Sequence, residues 1–163
     1  MNKIANHVLD SFDRAILALV QIDNQRSHAS IGAEVSLSAS SVRRRLAAMR
    51  DNGVIISDVS LTDPSKQGLT FVVHVSFERE EPAIYDKFRT LMDADPAVSQ
   101  CYYISGDFDF LLIVHAESPE AYENWGMHTL MANTAIRRYS TSLVWKRSKF
   151  TTHITPIQVP PKA

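Results

Sequence analysis

The stretch from Leu37 to Ile55, LSASSVRRRLAAMRDNGVI, holds three consecutive arginines within an otherwise apolar and alanine-rich run. Ser38 is a good helix N-cap, and Asn52-Gly53 is a typical C-terminal stop signal. The sequence therefore predicts one helix between these two points. What the arginines do on that helix decides how the first third of the chain is interpreted.

One face of this helix is predicted to be buried and the other cationic. At about 100° per residue, Val42, Leu46 and Met49 fall on one side and form an apolar stripe. Serine and arginine on the outer side of such a helix can reach phosphates and base edges in a DNA major groove. A solvated basic face on a helical bundle is the alternative. The candidate DNA-binding residues are Ser38, Ser40, Ser41, Arg43, Arg44 and Arg45.

The residues before this helix match a helix-turn-helix pattern. A short helix is predicted from His28 to Val35, and the small Gly32 within it would let it approach the next helix closely. Val35 and Leu37 flank a sharp turn, at the offsets that a helix-turn-helix requires. This spacing favours DNA contact over the solvated face. An earlier helix is indicated by apolar residues at three- and four-residue steps: Leu9, Phe12, Ile16 and Leu19.

From residue 70 onward the hydrophobic period changes to two. Residues 71–77, FVVHVSF, place alternate apolar side chains on one face of a strand, and a helix is predicted around 82–94. Strands follow in VSQCYYIS and FDFLLIVH, joined at Ser105-Gly106-Asp107, where the glycine allows a tight turn. A second helix and a long last strand over 136–150 complete the order βαββαβ, which is the split unit of a ferredoxin-like fold.

The third strand of this unit is predicted to be apolar on both faces. Leu111 and Ile113 fall on one face beside Asp109 and His115, while the other face is filled by Phe108, Phe110, Leu112 and Val114. Helices cover only one face of a split βαββαβ sheet, so a second apolar face needs a partner. A two-fold homodimer is the commonest solution.

The distribution of charge favours a polyanionic partner more than the total does. The net charge is −1, yet residues 38–50 hold four arginines without an acid, and residues 136–150 hold five cations without an acid. Such local excess is what a polyanion encounters.

Composition argues against several other classes of protein. The single Cys101 excludes an intrachain disulfide, no signal-peptide pattern is seen, and the longest apolar block, FLLIV, is too short for a membrane span. We therefore expect a cytoplasmic, nucleoid-associated protein. The six histidines lack metal-ligand spacing and no glycine-rich phosphate loop is present, so no enzyme activity, cofactor or metal site is predicted.

Four stretches, in order, resemble the Lrp/AsnC (leucine-responsive, feast-or-famine) family of prokaryotic transcription regulators. LDSFDRAILALVQIDNQRS resembles the first helix of that family, and LSASSVRRRLAAMRDNGVI resembles its recognition helix and the start of the following strand. LTDPSKQGL resembles its linker, and SGDFDFLLIV the glycine-aspartate turn of its effector domain. The likeness covers nearly the whole chain. Two departures are Ser36, where glycine is usual, and Phe108 and Phe110, where tyrosine is common.

The resemblance implies an α+β protein with an amino-terminal winged helix-turn-helix domain and a carboxy-terminal βαββαβ effector and dimerisation domain. The expected boundaries are 1–60 for DNA binding, 61–69 for the linker, 70–155 for effector binding and oligomerisation, and 156–163 for a tail. The partners implied are double-stranded DNA, a small effector that is usually an amino acid, and further copies of the chain, as dimers that assemble to tetramers or octamers.

The effector site is expected at the turn between the second and third strands. From the residues alone, Asp107 is a turn residue and Asp109 a strand-end charge in solvent. The resemblance instead favours a site in which Asp109 accepts from an α-ammonium group and the backbone amides around Gly106 receive a carboxylate. The effector residues expected from it are Ser105, Gly106, Asp107, Phe108, Asp109, Tyr139 and Thr141.

The function predicted is therefore that of a sequence-specific DNA-binding transcriptional regulator that responds to a small metabolite. Two alternatives stay open. One is an ACT-like small-molecule-binding module that acts on a partner protein, and the other is an architectural DNA-binding protein that needs no effector. Salt dependence of DNA binding distinguishes the first alternative, and an effector-dependent change in that binding distinguishes the second.

Overall fold

The computed structural model describes residues 9–155, so the predicted tail at 156–163 lies outside the described residues. The described chain forms two compact units, the first from residues 9–60 and 149–155, and the second from residues 61–148. The second unit is therefore an insertion into the first, and residues 149–155 group with the helical unit. The domain boundaries given above stay predictions. Within residues 9–155, no helix combines the length and apolar character that crossing a membrane requires.

The first unit contains three helices, α1 (Ser11–Val20), α2 (His28–Val35) and α3 (Ala39–Asp51). Each has a side-chain cap at its amino end, from Asp10, Ser27 and Ser38 respectively. The bounds predicted for α2 and the N-cap predicted for α3 are confirmed, because caps are local signals. The buried core is formed by Ile16, Leu17, Ile31, Val42, Leu46 and Met49.

The turn between α2 and α3 depends on one small residue and one strained residue. Gly32 lies so close to the turn that a Cβ atom there would be 2.4 Å from the carbonyl oxygen of Leu37. Because Gly32 has no side chain, the backbone of the turn can pack directly against α2. The sequence had predicted that α3 would make this close approach. Ser36 takes the left-handed conformation at φ 57° and ψ 44°, which strains a residue with a Cβ.

The strand predicted after α3, which a wing would require, is wrong for this structure. Residues 52–63 contain no strand. The amides of Val54 and Ile55 both donate to the carbonyl of Met49, so they close the end of α3 and are not available for a ladder. The unit is therefore a helix-turn-helix bundle followed by an irregular segment.

The second unit confirms the predicted βαββαβ order. After one 3₁₀ turn (Pro64–Lys66), its elements are β1 (Leu69–Phe77), α4 (Pro82–Ala94), β2 (Val98–Tyr103), β3 (Phe110–Ala116), α5 (Pro119–Gly126) with a π-helical turn (Met127–Met131), and β4 (Ile136–Leu143). The sheet is antiparallel with strand order β2-β3-β1-β4. The last strand ends at Leu143, short of the predicted residue 150, and residues 149–155 belong to the first unit.

The two faces of the sheet differ in what covers them. The face under α4 and α5 is the core of the unit, with buried Phe71, Val73, Val75, Phe77, Phe110, Leu112 and Val114 from the strands and Tyr85, Phe88, Met92 and Leu130 from the helical segments. Val72 pairs with Ile113 and His74 with Leu111 on the opposite face, which the helices do not cover. The prediction that β3 is apolar on both faces is confirmed for Leu111 and Ile113. We call this second surface the open face.

Phe108 and Asp109 lie on the faces opposite to those predicted. The strand begins only at Phe110, because residues 105–108 form the turn and the amide of Ile104 closes it by donating to the carbonyl of Asp109 at 2.9 Å. The Phe108 ring lies 5.1 Å from the His74 ring, on the open face. The Asp109 carboxylate instead points towards α4. Side chains alternate between the two faces only within a strand, and Phe108 and Asp109 precede β3, so the predicted alternation does not extend to them.

Candidate functional site

The outer face of α3 presents two arginines to solvent. Arg43 and Arg44 are both exposed, and among residues 9–155 neither has an acidic partner. They lie away from the stripe of Val42 and Leu46, which is buried as predicted. Two unpaired guanidinium groups on one exposed helical face are suited to binding phosphates or guanine edges.

The amino end of α3 is a cluster of hydroxyl groups. The Ser38 Oγ accepts from the amide of Ser41 at 3.2 Å, and lies 2.9 Å from the Ser41 Oγ and 3.0 Å from the Ser40 Oγ. Ser40 is exposed and Ser41 half-buried. The cluster therefore holds all three of the predicted DNA-binding serines in place, and the exposed Ser38 and Ser40 can reach a partner.

Arg45 does not share the position of the other two arginines. Its Nη1 atom donates to the Asp10 carboxylate at 2.7 Å and to the Asp13 carboxylate at 2.8 Å. The hydrogen bond to Asp13 first, and then the hydrogen bond to Asp10, raise the pKa of Arg45. Two acids of α1 therefore hold the Arg45 guanidinium, unlike those of Arg43 and Arg44, and the DNA contact predicted for Arg45 stays a prediction.

Phe12, which the sequence placed among the core positions of α1, is also explained by Arg45. Its ring is 40% exposed and the Arg45 guanidinium lies 5.4 Å from the ring centroid. The buried side of α1 is formed by Asp13, Ile16 and Leu17. Phe12 is therefore covered by a cation and lies outside the apolar core.

The loop of residues 105–108, which we call the effector loop, exposes a run of backbone donors. Ser105, Gly106 and Asp107 are exposed, and Gly106 adopts φ 123°, which favours glycine. In the part of the chain that the structure describes, the amides of residues 105–108 have no acceptor. Consecutive free amides can bind an anionic group.

Two side chains from neighbouring strands hold the effector loop in place. The carbonyl of Asp107 accepts from the Ser76 hydroxyl at 3.1 Å and from the Arg138 guanidinium at 3.2 Å. The same guanidinium lies 4.7 Å from the centroid of the Phe108 ring. Sequence reasoning did not identify Ser76 or Arg138, and only the run of cations at 136–150 gave a signal for the latter.

Asp109 is half-buried, and both of its carboxylate oxygens already accept hydrogen bonds. Oδ2 accepts from the amide of Phe77 at 2.8 Å, and Oδ1 accepts from the Tyr85 hydroxyl at 2.7 Å. Burial first, and then the hydrogen bond to Asp109, raise the pKa of Tyr85, so the phenol stays a neutral donor. The expectation of a strand-end charge in solvent is therefore wrong. No sequence pattern pointed to Tyr85.

Tyr139 and Thr141 lie on the other side of β1 from the effector loop. Tyr139 pairs with Val75 and Thr141 with Val73 across the β1–β4 ladder. Two interstrand spacings, about 10 Å, separate β4 from β3. The Thr141 hydroxyl contacts that of Tyr122 on α5. Among the described residues, no hydrogen bond or ring contact joins either side chain to the effector loop, so one chain does not bring the two sets together.

Residues 9–155 do not assemble a metal site. No three or more His, Cys, Asp or Glu side chains there are grouped to hold a metal ion. His115 binds the Thr70 and Ser99 hydroxyls at 3.1 and 3.0 Å, which ties three strands together. Cys101 is half-buried, and that burial raises the pKa of its thiol, as expected for a packing residue.

Two family models cover most of the chain. Residues 9–50 match the AsnC-type helix-turn-helix domain, and residues 70–154 match the Lrp/AsnC ligand binding domain. An HTH-type transcriptional regulator of Sinorhizobium fredii is 37% identical over 153 residues, which are 93% of this chain and 90% of that protein. The DNA-binding transcriptional activator DecR of Escherichia coli is 28% identical over 93% of this chain and all of its own length.

Solved structures agree with this assignment. An AsnC family transcriptional regulator from Agrobacterium tumefaciens has a TM-score of 0.81 at 30% identity, covering 90% of this chain and 96% of that one. A transcriptional regulator from Neisseria meningitidis, solved as a complex with L-Met, has a TM-score of 0.82 at 26% identity over the same shares. With its helix-turn-helix unit and its βαββαβ unit, the chain belongs to the Lrp/AsnC family of DNA-binding transcriptional regulators.

Proposed function

We propose that α3 reads DNA sequence, with Arg44 contacting base edges and Arg43 contacting phosphate. The observation that carries this proposal is that both guanidinium groups are exposed on α3 without an acidic partner in the described chain. Arg44 lies nearly opposite the buried stripe on the helical wheel, so it points most directly into a groove. Ser38, Ser40 and Ser41 at the amino end of α3 complete the proposed surface.

Binding isotherms on a duplex selected from a random library, and on an unselected duplex, test this proposal. Arg44→Ala should lose about 1–3 kcal/mol of discrimination between the two. Arg43→Ala should weaken both equally and lower the slope against salt by about one unit, because one phosphate contact is lost. Lys87→Ala, which removes an exposed cation of α4 in the other unit, is the matched control. Unchanged binding by an Arg43→Ala/Arg44→Ala variant would refute the proposal.

We further propose that the second unit binds a small amino acid. The free amides of the effector loop support this, since they suit an α-carboxylate. An ionised carboxylate has about four acceptor positions, so Asp109 can receive an α-ammonium group while it holds Phe77 and Tyr85. Relatives add weight: the Neisseria regulator was solved with L-Met, and a 34% identical Zymomonas mobilis relative is named a glutamate uptake regulatory protein. The proposed site residues are Ser105, Gly106, Asp107, Phe108, Asp109, Tyr139 and Thr141.

A thermal-shift screen of the wild-type protein against the twenty amino acids tests the effector proposal. A ligand that binds only the folded state raises the melting temperature in a concentration-dependent way. The expected result is a shift with one or a few amino acids, lost on removal of the carboxylate or the amine from the ligand. No shift with any amino acid, or equal shifts with the decarboxylated amines, would contradict it.

We also propose that the chain acts as a homodimer in the cytoplasm, built by contact between open faces and able to assemble further. Val72, Leu111 and Ile113 give that face apolar character, and the described chain leaves them only half-buried. Regulators of this family act by binding, so the chain is proposed to act without enzymatic activity. The site of action of the chain is then the DNA of the nucleoid.

A further inference from the structure

We infer that Arg45 is a positioning residue, which fixes the recognition helix α3 to α1 and is required for DNA binding without contacting DNA. The inference rests on the proposed role of α3 in reading DNA. It assigns Arg45, Asp10 and Asp13 to one ionic network, which we call the α1–α3 clamp.

The clamp uses all four carboxylate oxygens of its two acids. Asp10 accepts from the amide of Asp13 through Oδ1 at 2.8 Å and from Arg45 through Oδ2 at 2.7 Å. Asp13 accepts from the amide of Asp10 through Oδ2 at 3.2 Å and from Arg45 through Oδ1 at 2.8 Å. The reciprocal cap of α1 and the contact with α3 therefore share the same two side chains. Neither acid can rotate away from Arg45 without breaking the cap.

The clamp is shielded from water on one side. The Asp13 side chain is 7% exposed and that of Arg45 is 26% exposed, whereas that of Asp10 is 48% exposed. Charges that are partly removed from water interact more strongly than surface pairs. The pair with Asp13 is therefore the stronger half of the clamp, and the pair with Asp10 is the weaker.

Arg45 follows Arg44 directly, so the clamp also limits rotation of α3 about its own axis. The apolar stripe of α3 contacts a small core that would tolerate small rotations, because apolar contacts have no directional preference. A guanidinium held by two carboxylates at 2.7 and 2.8 Å has such a preference. Fixing Arg45 fixes where Arg43 and Arg44 point.

Neutralising Asp10 or Asp13 distinguishes positioning of α3 by the clamp from a simple effect of net charge on DNA binding. Asp10 and Asp13 are anions in the DNA-binding unit, so neutralising either would strengthen DNA binding if only net charge mattered. If the clamp positions α3, neutralisation should weaken binding instead. Asn retains the capping ability of Asp, so Asp10→Asn and Asp13→Asn remove charge while keeping the cap of α1. Arg45→Gln removes the cation, and Arg45→Lys retains it.

The experiment measures affinity for a selected and an unselected duplex against salt, at a temperature where circular dichroism shows every variant folded. We expect Asp13→Asn and Arg45→Gln each to reduce the ratio of selected to unselected affinity at least tenfold, with the salt slope of the wild type. The double variant should be no worse than either single variant. Arg45→Lys should recover part of the ratio, and the half-exposed Asp10→Asn should show a smaller loss even if Asp13→Asn does not fold.

Two results would overturn the inference. One is tighter binding of both duplexes by Asp10→Asn or Asp13→Asn, and the other is a salt slope lowered by one unit in Arg45→Gln with an unchanged affinity ratio. The latter would make Arg45 a phosphate contact. Arg43→Ala/Arg44→Ala is included in the same series, so wild-type binding by that variant refutes the role of α3 itself and is distinguished from failure of the clamp.

Discussion

Adjacent arginines on one helix have different surroundings in this protein, and the difference arises from residues far away in the chain. Arg44 is exposed, whereas Arg45 binds Asp10 and Asp13, which precede it by 35 and 32 residues. A helical wheel describes one helix, so it could place Arg45 on a flank of α3 but could not show which side chains of α1 meet it there. The serine cap of α3 could be predicted, because both partners lie within one helical turn.

Asp109 is a second residue whose contacts the sequence could not supply. Its partners Phe77 and Tyr85 are 32 and 24 residues away, and the strand begins after it and not before it. The composition of the turn was recognisable, since glycine at the left-handed Gly106 is a local requirement. The direction of the Asp109 carboxylate could not be predicted without knowing the register of three strands.

The structural contacts of Asp109 and its proposed role in ligand binding can be separated by a pair of variants. Tyr85→Phe removes a hydrogen bond to a charged group and should lower the free energy of unfolding by about 1.5–3 kcal/mol, while leaving the carboxylate able to bind an ammonium group. Asp109→Asn keeps the shape but not the charge, so it should abolish the thermal shift given by the amino acid from the screen. DNA affinity without ligand should stay within twofold of wild type in both. A normal ligand response in Asp109→Asn would leave the residue a structural role only.

At the scale of elements, the helices were the most predictable part and the segments between them the least. His28–Val35 forms α2 as predicted, because a serine cap and a single apolar side specify it locally. The strand predicted after α3 is absent, because Val54 and Ile55 close the end of that helix. The order of the βαββαβ unit followed from the change in hydrophobic period, while the ends of β3 and β4 depended on tertiary contacts.

Ser36 carries strain in the turn that joins α2 to α3, and its replacement should release it. A left-handed residue with a Cβ costs about 1–2 kcal/mol, part of which glycine loses to unfolded-state entropy. Ser36→Gly should therefore raise the free energy of unfolding by about 0.5–1 kcal/mol in urea melts. Ala33→Gly, at an exposed position in α2, is the control and should lower it by about 1 kcal/mol. Destabilisation by Ser36→Gly would mean that its side chain contributes to the turn.

At the scale of the whole molecule, the two units present two different surfaces. The sheet has an apolar open face, and the helical unit carries the exposed cations Arg43 and Arg44. The crossovers of a βαββαβ unit have a fixed hand, which places both helices on the same face. The alternation of apolar residues in β1 and β3 was therefore sufficient to predict the open face. Its occupant could not be read from one chain, because the partner surface belongs to another molecule.

Assembly through the open face predicts that a charge at its centre separates the subunits. Ile113→Asp would place a carboxylate opposite Val72 and among apolar side chains, where an unpaired buried charge costs about 3–5 kcal/mol. Sedimentation velocity should show the wild type as a dimer or larger at micromolar concentration and the variant as a folded species of 18.3 kDa. Thr90→Asp, on exposed α4, should assemble as the wild type does. A wild-type protein that sediments as an 18.3 kDa monomer would remove the basis of this proposal.

The return of residues 149–155 to the helical unit has a consequence for how such regulators can be recombined. The side-chain amide of Gln21 donates to the carbonyl of Ile154 at 3.1 Å and accepts from the amide of Ile154 at 2.8 Å. The Gln21 side chain thus pairs with the backbone of Ile154 as the backbone of a neighbouring strand would. A chimera that takes only the first sixty residues from this chain would separate Gln21 from its native partner. Exchange of DNA specificity between relatives is therefore best designed as a two-segment graft, in which the carboxy-terminal segment travels with the amino-terminal helices.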